Sequence, residues 1–285
     1  MTFNTVNTVN TKKEQLQSGY FKVGNGETTI LILGSCRSIP YMNYFTSLNY
    51  ENGGWFNINF IDPFYHNWDE SDQRVDYDKA LLECEKNVSL LEMLKNVDIF
   101  IHEFYNNSGM FNCDKNANKN IYQFVLNPKV DVCIPNYNDR FILFGDIVTF
   151  DAEMRKKAMQ DMNVISELSE QTQKEIFEIS QQNLNKFYQI CRLSDIPEME
   201  QYFKDNFIKR RLFWTYNHVA KDFTYFIFVK LCKKFLGIDL SEQFLRQIYQ
   251  MPDMFANNYT YLTYYDVKWY GFDWNEEIKQ LRDKL

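Results

Sequence analysis

The sequence predicts an α/β protein: a parallel sheet with helices packed on it, and a helical arm set into the second half. Three observations carry that prediction. Four apolar runs of strand length, at 28–33, 55–61, 97–101 and 130–134, are separated by stretches of helical period or by loops. These runs end in polar or small-residue segments, the kind that line the rim of a parallel sheet. Residues 151–209 then change texture. They are rich in Glu, Gln, Lys and Met, and Ile165, Leu168, Ile176, Ile179, Leu184, Phe187 and Ile190 recur at helical intervals.

At 285 residues, the chain suits one α/β core with a sizeable insertion. The division expected is a mobile N-terminal arm over 1–20 and a first core part over 21–150. A helical arm or cap over 151–209 follows, then a second core part with C-terminal helices over 210–285. The 31 basic and 38 acidic residues give a net charge of −7, which argues against a general nucleic-acid binder. The six cysteines are scattered without a C-x-x-C pair, so no zinc site is expected. That scatter suits reduced, buried thiols and a cytoplasmic location. The N-terminus lacks an apolar signal segment, and the longest apolar run, 223–229, is too short to span a bilayer.

In order, the first strand is 28–33, and its continuous apolar core predicts a central strand covered on both faces. Gly34-Ser35-Cys36-Arg37-Ser38 is a turn into a helix, with Ser38 as a candidate cap and Pro40 tolerated in the first turn. Tyr41, Phe45 and Leu48 give that helix its apolar face. Asn52-Gly53-Gly54 turns the chain into the second strand, 55–61. An aromatic and acidic loop follows at 64–74, then a helix over 77–94. The third strand, 97–101, leads into a polar loop that begins His102-Glu103. The fourth is 130–134, and 141–144 (FILF) suggests an additional strand. After the arm, Asn217-His218 opens an apolar helix ending near Leu236, with Gly237 as its stop. Asp239 or Ser241 caps another helix. The tail from 259 to 274 reads as irregular and 275–285 as a terminal helix.

Three histidines exist, His66, His102 and His218, and each stands at an expected strand end or helix start. Cys36 lies where a helix N-terminus and Arg37 would stabilise a thiolate. It is either a nucleophile or a small residue packing a tight turn. His218 is either a general base, with Asn217 orienting it or holding an oxyanion, or a bystander beside an ordinary Asn cap. His102 and Glu103 could form a base with an orienting carboxylate, but neighbours on an extended segment point opposite ways, which favours separate roles. Lys209, Arg210, Arg211 and Lys221 form the densest basic cluster, either a phosphate site or a solvated helix face.

The Gly34-Ser35-Cys36-Arg37 strand end, with Asn217-His218-Val219 leading into a long apolar segment, resembles the WcbI-like polysaccharide-biosynthesis acetyltransferase family. That family is related in fold to the SGNH/GDSL hydrolases. There the first motif reads Gly-Asn-Cys-Gln and the second Asn-His-Pro, so Ser35, Arg37 and Val219 depart from it. The resemblance implies a flavodoxin-like, three-layer α/β/α core with a helical arm. It also implies acyl transfer from coenzyme A or an acyl-CoA to a sugar or polysaccharide hydroxyl, without a metal. Cys36, His218, Asn217 and Ser35 would be the catalytic set. Arg37, Ser38, His102, Arg210, Arg211 and Lys221 would contact the donor. No Asp-x-x-His of the hydrolase kind is visible. An SGNH-like carbohydrate or lipid esterase, and a non-catalytic nucleotide- or glycan-binding module, are the alternatives.

Overall fold

The structure is a computed structural model, and it describes residues 14–17, 20–61, 88–103, 125–135, 141–215, 218–256 and 262–272. His66, Asn217, the 64–74 loop, most of the 77–94 helix and the 275–285 helix lie outside these residues. The chain divides into two compact units, residues 1–132 and 133–285.

The first unit carries a mostly parallel sheet. Its strands are β1 (Glu14–Gln17), β2 (Tyr20–Val23), β3 (Thr28–Leu33), β4 (Phe56–Ile61) and β5 (Ile99–Glu103), and β6 (Val130–Ile134) begins in it and ends past residue 132. They lie in the order β1-β2-β4-β3-β5-β6. β3 runs parallel to β4 on one side and to β5 on the other, with Ile30 opposite both Ile58 and Ile99. Ile30, Leu31 and Ile32 have no exposed surface, as expected for a run that is apolar at successive positions. β2 pairs antiparallel with β4, and β1 antiparallel with β2. Glu14–Gln17 is therefore a strand within the stretch whose composition suggested an arm, and the sheet is mixed at this edge.

β3 ends at Leu33. The chain turns through Gly34 and Ser35, makes a 3-10 turn over Cys36–Ser38, and enters helix α1 (Ile39–Glu51). Tyr41, Phe45 and Leu48 are buried on α1. Its last turn is tied to β4 because the Asn49 side chain both accepts from the Phe56 N–H at 2.7 Å and donates to the Phe56 carbonyl at 3.0 Å. Gly53 and Gly54 make the turn with φ of +75° and +89°, values that other residues adopt only under strain. Helix α2 (Val88–Lys95) precedes β5.

The second unit contains α3 (Phe144–Phe150), α4 (Ala152–Val164), α5 (Glu170–Leu193), α6 (Glu198–Asn206), α7 (Lys221–Phe235), α8 (Glu242–Gln250) and α9 (Tyr264–Tyr270). The texture of 151–209 thus becomes three helices. A two-stranded hairpin, β7 (Phe213–Thr215) and β8 (His218–Val219), stands before α7. Phe144, Ile147, Met154, Ala158, Leu168 and Ile176 form one buried cluster, covered by Tyr265 and Trp269 from α9. Phe203 of α6 packs 4.9 Å from Phe187 of α5 and 4.8 Å from Phe207, ring centre to ring centre. The three helices are thereby built into the second unit's own core.

Three sequence expectations are corrected here. The FILF run at 141–144 is no strand: its last residue starts α3, and the Phe144 N–H is taken by the Asp266 carboxylate at 2.8 Å. Asn217-His218 does not open α7. His218 is in β8, Ala220 occupies the cap position, and the Lys221 N–H is taken by Asp253 at 2.7 Å. The tail after 259 is not wholly irregular, since α9 forms there with a reciprocal capping box between Thr263 and Asp266. Gly237 does turn left-handed after α7, at φ +64°, and Ser241 does cap α8, accepting from the Phe244 N–H at 3.1 Å.

Candidate functional site

The order β4-β3-β5 places a topological switch point at the carboxyl ends of β3 and β5. β3 is followed in the chain by β4 on one side of it, and β5, on its other side, is followed by β6 farther out. Open α/β sheets bind ligands in the crevice such a reversal leaves. In this unit the carboxyl end of β3 carries the Gly34–Ser38 turn, and the last residues of β5 are His102 and Glu103.

Glu103 organises the turn. It is 3% exposed, and its Oε1 accepts from the Ser35 N–H at 3.2 Å. The Ser35 hydroxyl lies 3.3 Å from both carboxylate oxygens, and the Ser38 hydroxyl donates to Oε1. The Arg37 guanidinium stands 3.6 Å from Oε2. A carboxylate removed from water needs this kind of neutralisation and hydrogen bonding to persist. Ser35 caps the 3-10 turn as well, accepting from the Arg37 N–H at 3.4 Å. Ser38 occupies the cap position of α1, yet its hydroxyl serves Glu103 and not the helix. Burial, and then the charges of Glu103 and Tyr44, push the Tyr41 phenol on α1 well above its ordinary pKa.

Ser35, Arg37 and Ser38 are all buried in this arrangement, and Cys36 is the half-buried member among them. The turn therefore tucks its flanking polar groups inward and leaves Cys36 more exposed than its neighbours. Gly34 makes the packing possible. A Cβ there would fall 2.7 Å from Glu103 Oε1 and closer still to Ser38 Oγ.

His102 and Glu103 take opposite directions, as alternation along a strand requires. His102 is 5% exposed, its Nε2 is 3.3 Å from Asp131 Oδ1, and its ring centre is 5.0 Å from that of Phe100. Of the residues read from the sequence, this unit brings together Ser35, Cys36, Arg37 and Ser38. The anchor that joins them, Glu103, was read in the sequence as a carboxylate that could orient His102, with no sign of its part in the turn.

In the second unit the His218 backbone N–H donates to Thr215 Oγ1 at 3.1 Å, and its Nδ1 lies 3.1 Å from the same oxygen. The imidazole stacks on Phe255, ring centres 4.4 Å apart. Asp253 fixes the surroundings by accepting from the Trp214 indole at 2.8 Å and from the Lys221 N–H at 2.7 Å. Lys221 Nζ donates to the Met251 carbonyl at 3.0 Å and sits 4.9 Å from the Tyr249 ring centre. Arg210 pairs with Asp222 at 3.4 Å, and Arg211 lies 4.9 Å over the Trp214 ring. The basic run is thus spread over separate partners. Thr215 and Asp253 carried no local signal in the sequence. Among the described residues no group of His, Cys, Asp and Glu could hold a metal ion, and no helix is long and apolar enough to cross a membrane.

No family model matches the sequence, and no curated protein matches it. A solved structure similar to this chain is that of WcbI, described as a novel polysaccharide biosynthesis enzyme in a native form without a disulfide bond between coenzyme A and one of its cysteines. The two share 12% identity with a TM-score of 0.45, over 90% of this chain and 94% of that one. A likeness of this size carries no argument about activity.

Proposed function

We propose that the chain transfers an acyl group from an acyl-CoA to a hydroxyl of a sugar or polysaccharide, with the Gly34–Ser38 turn as the acyl site. The observation that carries this reading is the half-buried Cys36 at the sheet's switch point, on a turn whose other polar groups are held by Glu103. One of the two motifs that carry the sequence resemblance is this same turn, which supports the reading independently of the geometry.

In the proposed reaction the Cys36 thiolate attacks the thioester carbonyl. The carbon–sulfur bond to coenzyme A breaks, and the coenzyme leaves as its thiol after taking up a proton. An acyl-cysteine remains. The acceptor hydroxyl then attacks that acyl group, gives its proton to a general base, and restores the thiolate. The partial positive charge at the start of α1 favours the thiolate form. The resemblance implies His218 as the base and Asn217 as an oxyanion donor. Of the candidate donor contacts, Arg210, Arg211 and Lys221 carry the charge suited to a phosphate, while Arg37 and Ser38 have their polar ends on Glu103.

The test is acyl-CoA turnover by Cys36→Ala and His218→Ala, each beside the parent protein. A loss of at least about a hundredfold is expected for either, the usual scale for a nucleophile or general base. Unchanged rates in both would overturn the reading. Release of a chromogenic acyl ester to water, with no dependence on coenzyme A, would point to an esterase in its place.

A further inference from the structure

Cys36 stands between residues whose polar groups converge on one carboxylate 65 to 68 positions away in the chain. That carboxylate fixes the residue before the cysteine through Ser35 N–H and Oγ. It fixes the residue two places after it through Ser38 Oγ, and it faces Arg37 between them. Three of the four residues at 35–38 are thus held by a single side chain, and the remaining one carries the thiol. The close approach requires Gly34, whose Cβ would collide with the carboxylate. A turn built this way has little freedom to reorient the cysteine relative to the first turn of α1.

We propose that Glu103 is the positioning residue of this site: its hydrogen bonds to Ser35 and Ser38 hold the Cys36 thiol at the entry of α1, where the thiolate is favoured. The inference rests on the reading of the Cys36 turn as the reactive site. It differs from that reading in assigning the thiol's reactivity to a residue on another strand. Arg37 balances the carboxylate charge, and the Tyr41 phenol on α1 feels it. The hydrogen-bonding capacity of Glu103, more than its charge, is what the thiol depends on.

The experiment is iodoacetamide alkylation of the folded full chain across pH, with modification at Cys36 read by peptide mass spectrometry. Melting curves confirm the fold of each variant. Glu103→Ala leaves buried donors unmet and is expected to slow Cys36 alkylation about tenfold near pH 7 and to place its pH midpoint above that of Glu103→Gln, which loses the same charge. Glu103→Gln keeps an acceptor oxygen and is expected to restore the rate to within about twofold of the parent. A purely structural role would leave those two midpoints equal. Should Glu103→Ala fail to fold, Ser38→Ala removes one donor and keeps the carboxylate, and a fall of about threefold is expected. Parental rate and midpoint in Glu103→Ala, or in Ser38→Ala where that variant stands in, would overturn the proposal. So would an equal fall in Glu103→Gln and Glu103→Ala. Glu103-dependent alkylation in a protein that turns over no acyl-CoA would leave this inference standing and remove the proposed function. Cys36-dependent turnover with alkylation indifferent to Glu103 would do the reverse.

Discussion

Glu103 in the first unit and Asp266 in the second are both buried carboxylates that collect donors at a helix entry, and they differ in what balances them. Glu103 takes the Ser35 and Ser38 groups and also faces the Arg37 cation. Asp266 takes neutral donors: the Phe144 N–H at 2.8 Å, the Thr263 N–H at 2.7 Å and the Thr263 hydroxyl at 2.6 Å. Burial pushes the Asp266 carboxyl up to about 6, against the lowering effect of those hydrogen bonds. One carboxylate is thus an ion-paired clamp beside a half-buried thiol. The other is a neutral-donor staple joining the starts of α9 and α3 in a packed core. The difference teaches that buried carboxylates with similar sets of donors can be held with a counter-charge or without one.

The largest expected effect is at the clamp. Glu103→Ala removes the carboxylate that faces the buried Arg37 and accepts from Ser35 and Ser38, and should cost about 3–5 kcal/mol in a denaturant melt. A cost near zero would mean that the ion pair does not distinguish the two sites.

The staple should show itself through pH. The folded value of Asp266 lies above the ordinary 3.8, so the folded state binds this proton more tightly than the unfolded chain does. Its contribution to stability is fully present below about pH 4 and is lost as pH rises through about 6. The span is on the order of 3 kcal/mol. Melting the parent and Asp266→Asn side by side from pH 4 to 7 should show a stability gap that narrows as pH rises. A gap that is constant with pH would remove the distinction.

Gly34→Ala tests how tightly the clamp closes. The added methyl must displace Ser38 or Glu103, at an expected cost of about 1–3 kcal/mol, read from the denaturation midpoint. Ser241→Ala is the smallest of the set. It removes a cap made within one turn of α8 and should cost about 1 kcal/mol. If it cost as much as Glu103→Ala, long-range carboxylates would have no special standing over local caps.

The elements legible in the sequence were those with a local cause. β3 was read at its observed bounds because six residues of strand former end at a glycine. The Gly53–Gly54 turn, the Gly237 stop and the Ser241 cap follow from side chains within a few residues of the feature they make. The misread starts share a different cause. Phe144 looked like the end of a strand, and its N–H is satisfied by a carboxylate 122 residues away. The α7 start was placed at Asn217-His218, but the N–H that needs capping is that of Lys221, and Asp253 supplies the acceptor. A local reading assigns caps to neighbours, and a carboxylate arriving from a distant segment leaves no periodic trace.

The candidate site divides the same way. Composition, the apolar run of β3 and the small-residue turn were enough, by themselves, to place Cys36 at a sheet rim beside Ser35, Arg37 and Ser38. Only the tertiary structure decided that Glu103 would hold that turn while the adjacent His102 would face Asp131. The pairing of β5 with β3 sets which strand end meets which turn, and side chains that alternate across a sheet send neighbouring residues to opposite partners.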